Sequence, residues 1–387
     1  MPVGLAPSLT PERVPGRRPF FRAKKGAYDL LQPIGRGRDR VTNRILSDPR
    51  IDPRIKAIFG AMDPAPPQPD VASRDELLAE AMTDEAVMQR KLFTDVLETC
   101  DNEAIAPSAG LALSEYQVVS HPDGNTINIR FVRPEGADPL PCVYYIHGGG
   151  MQIMSCYDGN YRAWARMIAS QGVAVAMVDF RNALVPSSLP EVAPFPAGLN
   201  DCVSGLHWVA SQHAELRIDP ARIVVAGESG GGNLTLATGL KLKRDGDLGL
   251  ISGLYALCPF IAGRWPMEEN PSSIENDGIL LNLHNNRWAM AYGIEELNRR
   301  NPLAWPGFAS EDDVRGLVPT MVSVNECDPL RDEGVNFYRL LVRAGVPARC
   351  RQVMGTIHGT EVFPMTCPDI SRDTAASIAL FVRTVGS

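Results

Sequence analysis

The sequence predicts an α/β fold: a mostly parallel sheet covered by helices on both faces, with an added helical region in front of it. Three observations carry this. From about residue 112, apolar runs of strand length alternate with helical stretches. The later runs are continuously apolar instead of alternating, as in strands buried on both faces. Strand–helix–strand order also requires right-handed crossovers, which lay helices over a parallel sheet.

Residues 1–110 are rich in Pro and Arg, with a cluster at Asp63-Pro64-Ala65-Pro66-Pro67-Gln68-Pro69. A helix is expected after it. Ser73 and Glu76 have capping-box spacing, and Leu78, Met82, Met88, Leu92 and Val96 trace an apolar stripe to about Glu98. No strand pattern occurs here, so 1–110 reads as a helical extension and 111–387 as the main domain. There, 114–120 and 126–132 alternate apolar and polar residues across Pro122-Asp123-Gly124-Asn125, an antiparallel hairpin. Further strands are expected at 141–146, 173–180, 222–226, 251–258, 320–325 and 348–354. Helices are expected near 161–171, 198–213, 231–243, 334–344 and 371–384. The polar stretch 262–310, with Trp265, Trp288 and Trp305 among many Asn residues, interrupts the alternation where the sixth strand ends. A lid or cap insertion fits that position.

The 387 residues suit one large domain plus an appended region, and 44% hydrophobic with 21% charged residues is ordinary for a globular enzyme. No apolar run reaches membrane-spanning length, and the start lacks a basic segment followed by an apolar core, so neither stable membrane insertion nor a signal peptide is expected. The eight cysteines form no C-x-x-C pair or zinc-type spacing; they read as buried free thiols of a cytoplasmic protein. Residues 1–60 carry 13 Lys and Arg against 5 Asp and Glu, so a chain of net charge −7 has −15 on the remainder. The basic arm Arg17-Arg18-Pro19-Phe20-Phe21-Arg22-Ala23-Lys24-Lys25 is expected to lie on its own acidic body. That body would repel a phosphate backbone, so no nucleic-acid partner is expected.

Two motifs carry chemistry. Gly227-Glu228-Ser229-Gly230-Gly231 is G-x-S-x-G, preceded by the apolar run 222–226 and followed by a helical stretch, the context a nucleophile elbow demands. His147-Gly148-Gly149-Gly150 follows the run 141–146, where glycine N–H groups can hold an oxyanion. Gly148, Gly149, Gly150 and Gly230 are the candidate donors; His147 is read as holding the loop. Serine needs a base within hydrogen-bond reach. On a fold with nucleophile, acid and base in that order, His121, His147, His207 and His213 come too early and His284 lies in the insertion. His358 is left. Asp328, where the seventh strand gives way to Pro329, is the preferred acid, with Glu326 as fallback. Asp332 and Glu333 read instead as residues at the positive end of the next helix. No metal or cofactor is called for.

These landmarks, with Asp328-Pro329-Leu330-Arg331-Asp332, Ile357-His358-Gly359 and Pro194-Phe195-Pro196-Ala197, resemble the hormone-sensitive-lipase-like family of α/β-hydrolase esterases over roughly 110–387. Glu275-Asn276-Asp277-Gly278 and the stretch from Ala304-Trp305-Pro306 to Leu317 are most similar to its bacterial brefeldin A esterase branch. The resemblance implies an eight-stranded α/β-hydrolase core, a helical cap from the N-terminal region and the insertion, small ester substrates of modest acyl length and, by analogy, a homodimer. Two departures stand out: Gly230 replaces the family's usual alanine, and Glu228 its usual aspartate. The segment 181–193 is also longer than usual. The expected reaction is carboxylic ester hydrolysis through Ser229, His358 and Asp328. Lactone or amide hydrolysis and acyl transfer are the alternatives on the same residues. A receptor on a dead hydrolase scaffold is the remote one, disfavoured by the presence of His358.

Overall fold

A computed structural model describes residues 43–61 and 66–385. The basic arm 17–25 and part of the proline cluster therefore lie outside the described residues. Among the described residues four helices precede the sheet: α1 (Arg44–Ser47), α2 (Pro53–Phe59), α3 (Arg74–Ala81) and α4 (Asp84–Glu98). Eight strands follow: β1 (Leu111–Val119), β2 (Thr126–Pro134), β3 (Leu140–Ile146), β4 (Ala174–Asp179), β5 (Ile218–Glu228), β6 (Gly253–Leu257), β7 (Thr320–Asn325) and β8 (Ala348–Val353). They form one sheet in the order β1-β2-β4-β3-β5-β6-β7-β8. The β1/β2 and β2/β4 pairs are antiparallel, and every pair from β4/β3 to β7/β8 is parallel.

Between strands run α5 (Gly159–Ala169), α6 (Ala197–Ser211), α7 (His213–Leu216) and α8 (Gly230–Asp245). The insertion before β7 carries α9 (Ser272–Glu275), α10 (Arg287–Tyr292), α11 (Ile294–Asn298) and α12 (Glu311–Val314). Last come α13 (Arg331–Arg343) and α14 (Pro368–Thr384). β3 shows why its apolar run is unbroken. Cys142, Tyr144 and Ile146 join one core, with side chains of α6, α8 and α13, while Val143 and Tyr145 join another, with those of α5 and α14. Both faces of the strand exclude water, so no position is left for a polar residue.

The region before the sheet differs from expectation. The helix expected to run from Ser73 to Glu98 is two helices, because Thr83 accepts from the N–H of Ala86 and caps a new start. Ser73 does cap α3, but Glu76 reaches back to the N–H of Ala72. The expected stripe is out of phase: Met82, Met88 and Leu92 are at least half exposed, and Leu77 and Leu97 are the buried residues. The break resets the rotation of the second helix, which a single periodic reading cannot follow.

This region packs against the insertion. Ile45, Ile51, Ile55 and Phe59 cluster with Ile279 and Ile357, and Val71 and Leu77 with Ala291. Arg50 pairs with Glu275 at 2.5 Å and Arg54 with Asp369 at 2.6 Å, so these cations of the basic segment meet acidic partners on the body. All eight cysteines are free, and all but Cys350 are fully buried. Among the described residues no helix is long and apolar enough to cross a membrane.

Candidate active site

β5 runs straight into α8, and the residue at the junction is Ser229, with φ +58° and ψ −119°. A non-glycine residue rarely holds positive φ, and the surroundings fix it here. Its N–H donates to the Leu257 carbonyl (2.9 Å), and its own carbonyl accepts from Asn233 and Phe260 (3.0 Å each). A carbon added to Gly227 would stand 2.5 Å from the Gly231 carbonyl oxygen, so the turn closes only with glycine. Ser229 sits half-buried at the amino end of a sixteen-residue helix, whose positive end favours developing negative charge.

Ser229 Oγ lies 2.8 Å from His358 Nε2, and His358 Nδ1 lies 2.8 Å from Asp328 Oδ2. Asp328 is fully buried at the end of β7, and its other oxygen accepts from the N–H of Leu330 (2.9 Å). Nδ1–H donating to the carboxylate leaves Nε2 free to accept the serine proton. Burial is the largest single influence and opposes a charged imidazole, but the Asp328 carboxylate, together with the neighbouring Cys258, holds His358 well above its ordinary 6.5. The alternative acids are engaged elsewhere. Glu326 accepts from Gly355 N–H, and Asp332 from the N–H of Ser272. Glu333 lies in the first turn of α13, as expected, and accepts from Ile261, Ala262 and the Trp265 indole, so it clasps the start of the insertion. Asn325, which sequence reasoning passed over, braces the His358 loop through Thr356, Glu361 and the N–H of Gly359.

The glycine loop divides. Gly148, expected among the oxyanion donors, points its N–H at Glu228 Oε1 (2.8 Å) and Tyr161 Oη (2.9 Å). Glu228 also accepts from the hydroxyls of Tyr145 (2.6 Å) and Tyr161. Gly148 is thus corrected to an anchor of the loop, and Glu228 is the group that anchors it. Burial pushes the Glu228 carboxyl up to about 7, against the pull of these donors. The N–H groups of Gly149, Gly150 and Gly230 meet no acceptor among the described residues. His147 is buried, stacked on Phe180 at 4.3 Å with Nδ1 3.0 Å from the Gly148 carbonyl oxygen, and burial lowers its pKa. Neither tyrosine stood out in the sequence: Tyr145 lies in an otherwise apolar run and Tyr161 in an expected helix, with no motif around it.

Ser229 opens into a cavity of about 260 Å³ lined largely by Phe59, Phe93, Phe260, Trp288 and Phe363. Cys258, Asp328 and His358 each bring one potential metal ligand within 4.8 Å of the others. Two of the three are already joined by the His358–Asp328 bond, however, and burial pushes the Cys258 thiol up to about 11. Both ring nitrogens of His358 are engaged, one by Asp328 and the other by Ser229.

Residues 143–362 match the alpha/beta hydrolase fold family. Among solved structures, esterase Est22 is 67% identical with a TM-score of 0.86, covering 88% of this chain and 99% of its own; one of its structures is with p-nitrophenol. Brefeldin A esterase, a bacterial homologue of human hormone-sensitive lipase, is 36% identical with a TM-score of 0.76, covering 87% and 94%. Carboxylesterase NlhH of Mycobacterium tuberculosis is 32% identical over 256 residues, 65% of this chain and 76% of its own. The chain therefore belongs to the α/β-hydrolase fold family, in its hormone-sensitive-lipase-like division, and is an ester-hydrolysing enzyme.

Proposed function

We propose that this enzyme cleaves small carboxylic esters through an acyl-enzyme on Ser229, with His358 as base and Asp328 orienting it. His358 Nε2 takes the hydroxyl proton as Ser229 Oγ attacks the ester carbonyl. The N–H groups of Gly149, Gly150 and Gly230 hold the oxyanion. His358 then gives its proton to the departing alcohol, and a water molecule activated by the same nitrogen releases the acid. The observation that carries this reading is the unbroken chain from Ser229 Oγ through both ring nitrogens to a buried carboxylate, two successive contacts of 2.8 Å.

The domain reading belongs to the same proposal: the described residues before 110 and the insertion 262–310 act together as a cap over the cavity, supported by their shared apolar clusters. A cytoplasmic location is supported by eight unpaired cysteines, which suit a reducing compartment. Homodimer formation is proposed by family analogy, and sedimentation of the purified chain decides it. For the reaction, Ser229→Ala is expected to lower p-nitrophenyl acetate and butyrate turnover by at least ~10³-fold with an unchanged circular dichroism spectrum. Undiminished turnover in that variant would overturn the assignment.

A further inference from the structure

The cavity at Ser229 has a larger neighbour. A second space of about 470 Å³ lies between the α3–α4 region and the insertion. Ile153, Leu280, Leu281 and Trp288 line both. The chamber at the serine is small: about 260 Å³ falls below the roughly 300–1,000 Å³ usual for small-molecule sites. What separates the two spaces therefore limits what the enzyme can hold.

Trp288 is the largest side chain of the shared wall, and its position is closely determined. Its ring lies directly on the glycine loop: a carbon added to Gly150 would stand 2.6 Å from a ring carbon. Phe260 meets the same ring edge-on at 5.4 Å. The Trp288 carbonyl accepts from Gln152 Nε2 at 3.0 Å. From the other side, the N-terminal region grips α10. Asn286 and the Val71 backbone exchange two hydrogen bonds of 2.9 Å, Arg287 pairs with Glu80, and Ala291 packs with Leu77. A tryptophan serving only to fill the core would be enclosed by packing. This one is half-buried and faces two cavities.

We propose that Trp288 is the residue that sets substrate length, as a partition between the two spaces. It stops the ester substituent that runs beside the glycine loop, so esters with a few carbons or a single aromatic ring are favoured there. The space behind it, with Leu77, Leu184 and Val185 in its wall, is where a longer chain lies once the indole is removed. This inference rests on the reading of Ser229 as nucleophile.

The test measures kcat/KM for Trp288→Ala, Trp288→Phe and the parent enzyme in two substrate series. One is p-nitrophenyl esters from acetate through butyrate and octanoate to decanoate; the other is acetates of alcohols of increasing length. In one series the parent is expected to fall steeply with length, and Trp288→Ala to raise the long-to-short ratio of kcat/KM tenfold or more, with Trp288→Phe shifting it less in the same direction. Parallel length profiles for parent and both variants in both series would overturn the partition. Where the alanine variant does not fold, Trp288→Phe decides alone: a shift towards longer chains supports the proposal and no shift refutes it. Ser229→Ala in the same assays separates the two readings. Turnover surviving there counts against the nucleophile, whereas parallel profiles with Ser229→Ala inactive count against the partition only.

Discussion

Gly230 stands where the resembling family usually has alanine, and the packing around it gives that difference a consequence. A carbon added there would lie 2.5 Å from the Met151 nitrogen and 2.8 Å from Gly150. The glycine loop thus sits closer to the elbow than an alanine allows. Gly230→Ala is expected to push that loop outward, misplace the oxyanion donors and lower kcat by about 10²-fold, with the melting temperature little changed. Wild-type kcat in that variant would show that the loop gives way without cost. Asp328 acts through a second atom and gives a different signature. Its carboxylate raises the His358 pKa, and only neutral imidazole can serve as base, so the acid limb of the kcat/KM profile should lie above pH 6.5. Asp328→Asn is expected to lower kcat by roughly 10⁴-fold and to move that limb towards lower pH. A limb that stays in place would assign the shift to something other than Asp328.

Helices and strands were legible to different degrees, for a physical reason. β3 to β7 were readable because burial on both faces leaves a largely apolar run, whereas β8 is half-exposed and carries two arginines. The hairpin was readable from its turn residues. The region before the sheet was not: a second cap at Thr83, written in Thr83-Asp84-Glu85, divides what the apolar residues suggest is one helix. α8 shows how one element ties two distant regions. Asn233 Nδ2 donates to the carbonyls of Phe260 (2.9 Å) and Ala304 (3.0 Å), pinning both ends of the insertion to the elbow helix. Asn233→Ala leaves both buried carbonyls unpartnered and is expected to cost about 1–3 kcal/mol, read as a lower urea midpoint. An unchanged midpoint would mean that other groups take over both bonds.

At the scale of the molecule, buried acids and paired acids pull stability in opposite directions with pH. Burial raises Glu228 to about 7 and Glu333 to about 8, from 4.5. A carboxyl whose folded pKa is raised contributes its stability in full below 4.5 and loses it as pH rises through the folded value. Asp48, Asp101 and Asp332 are held below their ordinary 3.8 by arginine partners, against burial in each, and contribute above that value. Their stability is lost as the solution becomes more acidic. Maximum stability is therefore expected on the mildly acidic side of neutrality, falling from about pH 5 to 8 as Glu228 and Glu333 ionise. Melting temperatures of the parent and Glu333→Gln across that range test this. The variant should show a flatter decline, and identical slopes would remove Glu333 from the account.

The sequence by itself determined the sheet, its order of strands and helices, and the serine, histidine and aspartate that the fold brings within hydrogen-bond reach of one another. Each follows from a local constraint: the period of apolar residues, the sharp turn at Gly227–Gly231, the loop that follows β7. Tertiary structure alone decided which glycine N–H groups remain unbonded, since Gly148 is claimed by a glutamate 80 residues away. It also decided the phase of α3 and α4, and the size of the chamber that Trp288 closes. Those depend on which surfaces meet across the chain. A motif fixes the geometry of its own backbone and carries no record of the side chains packed against it.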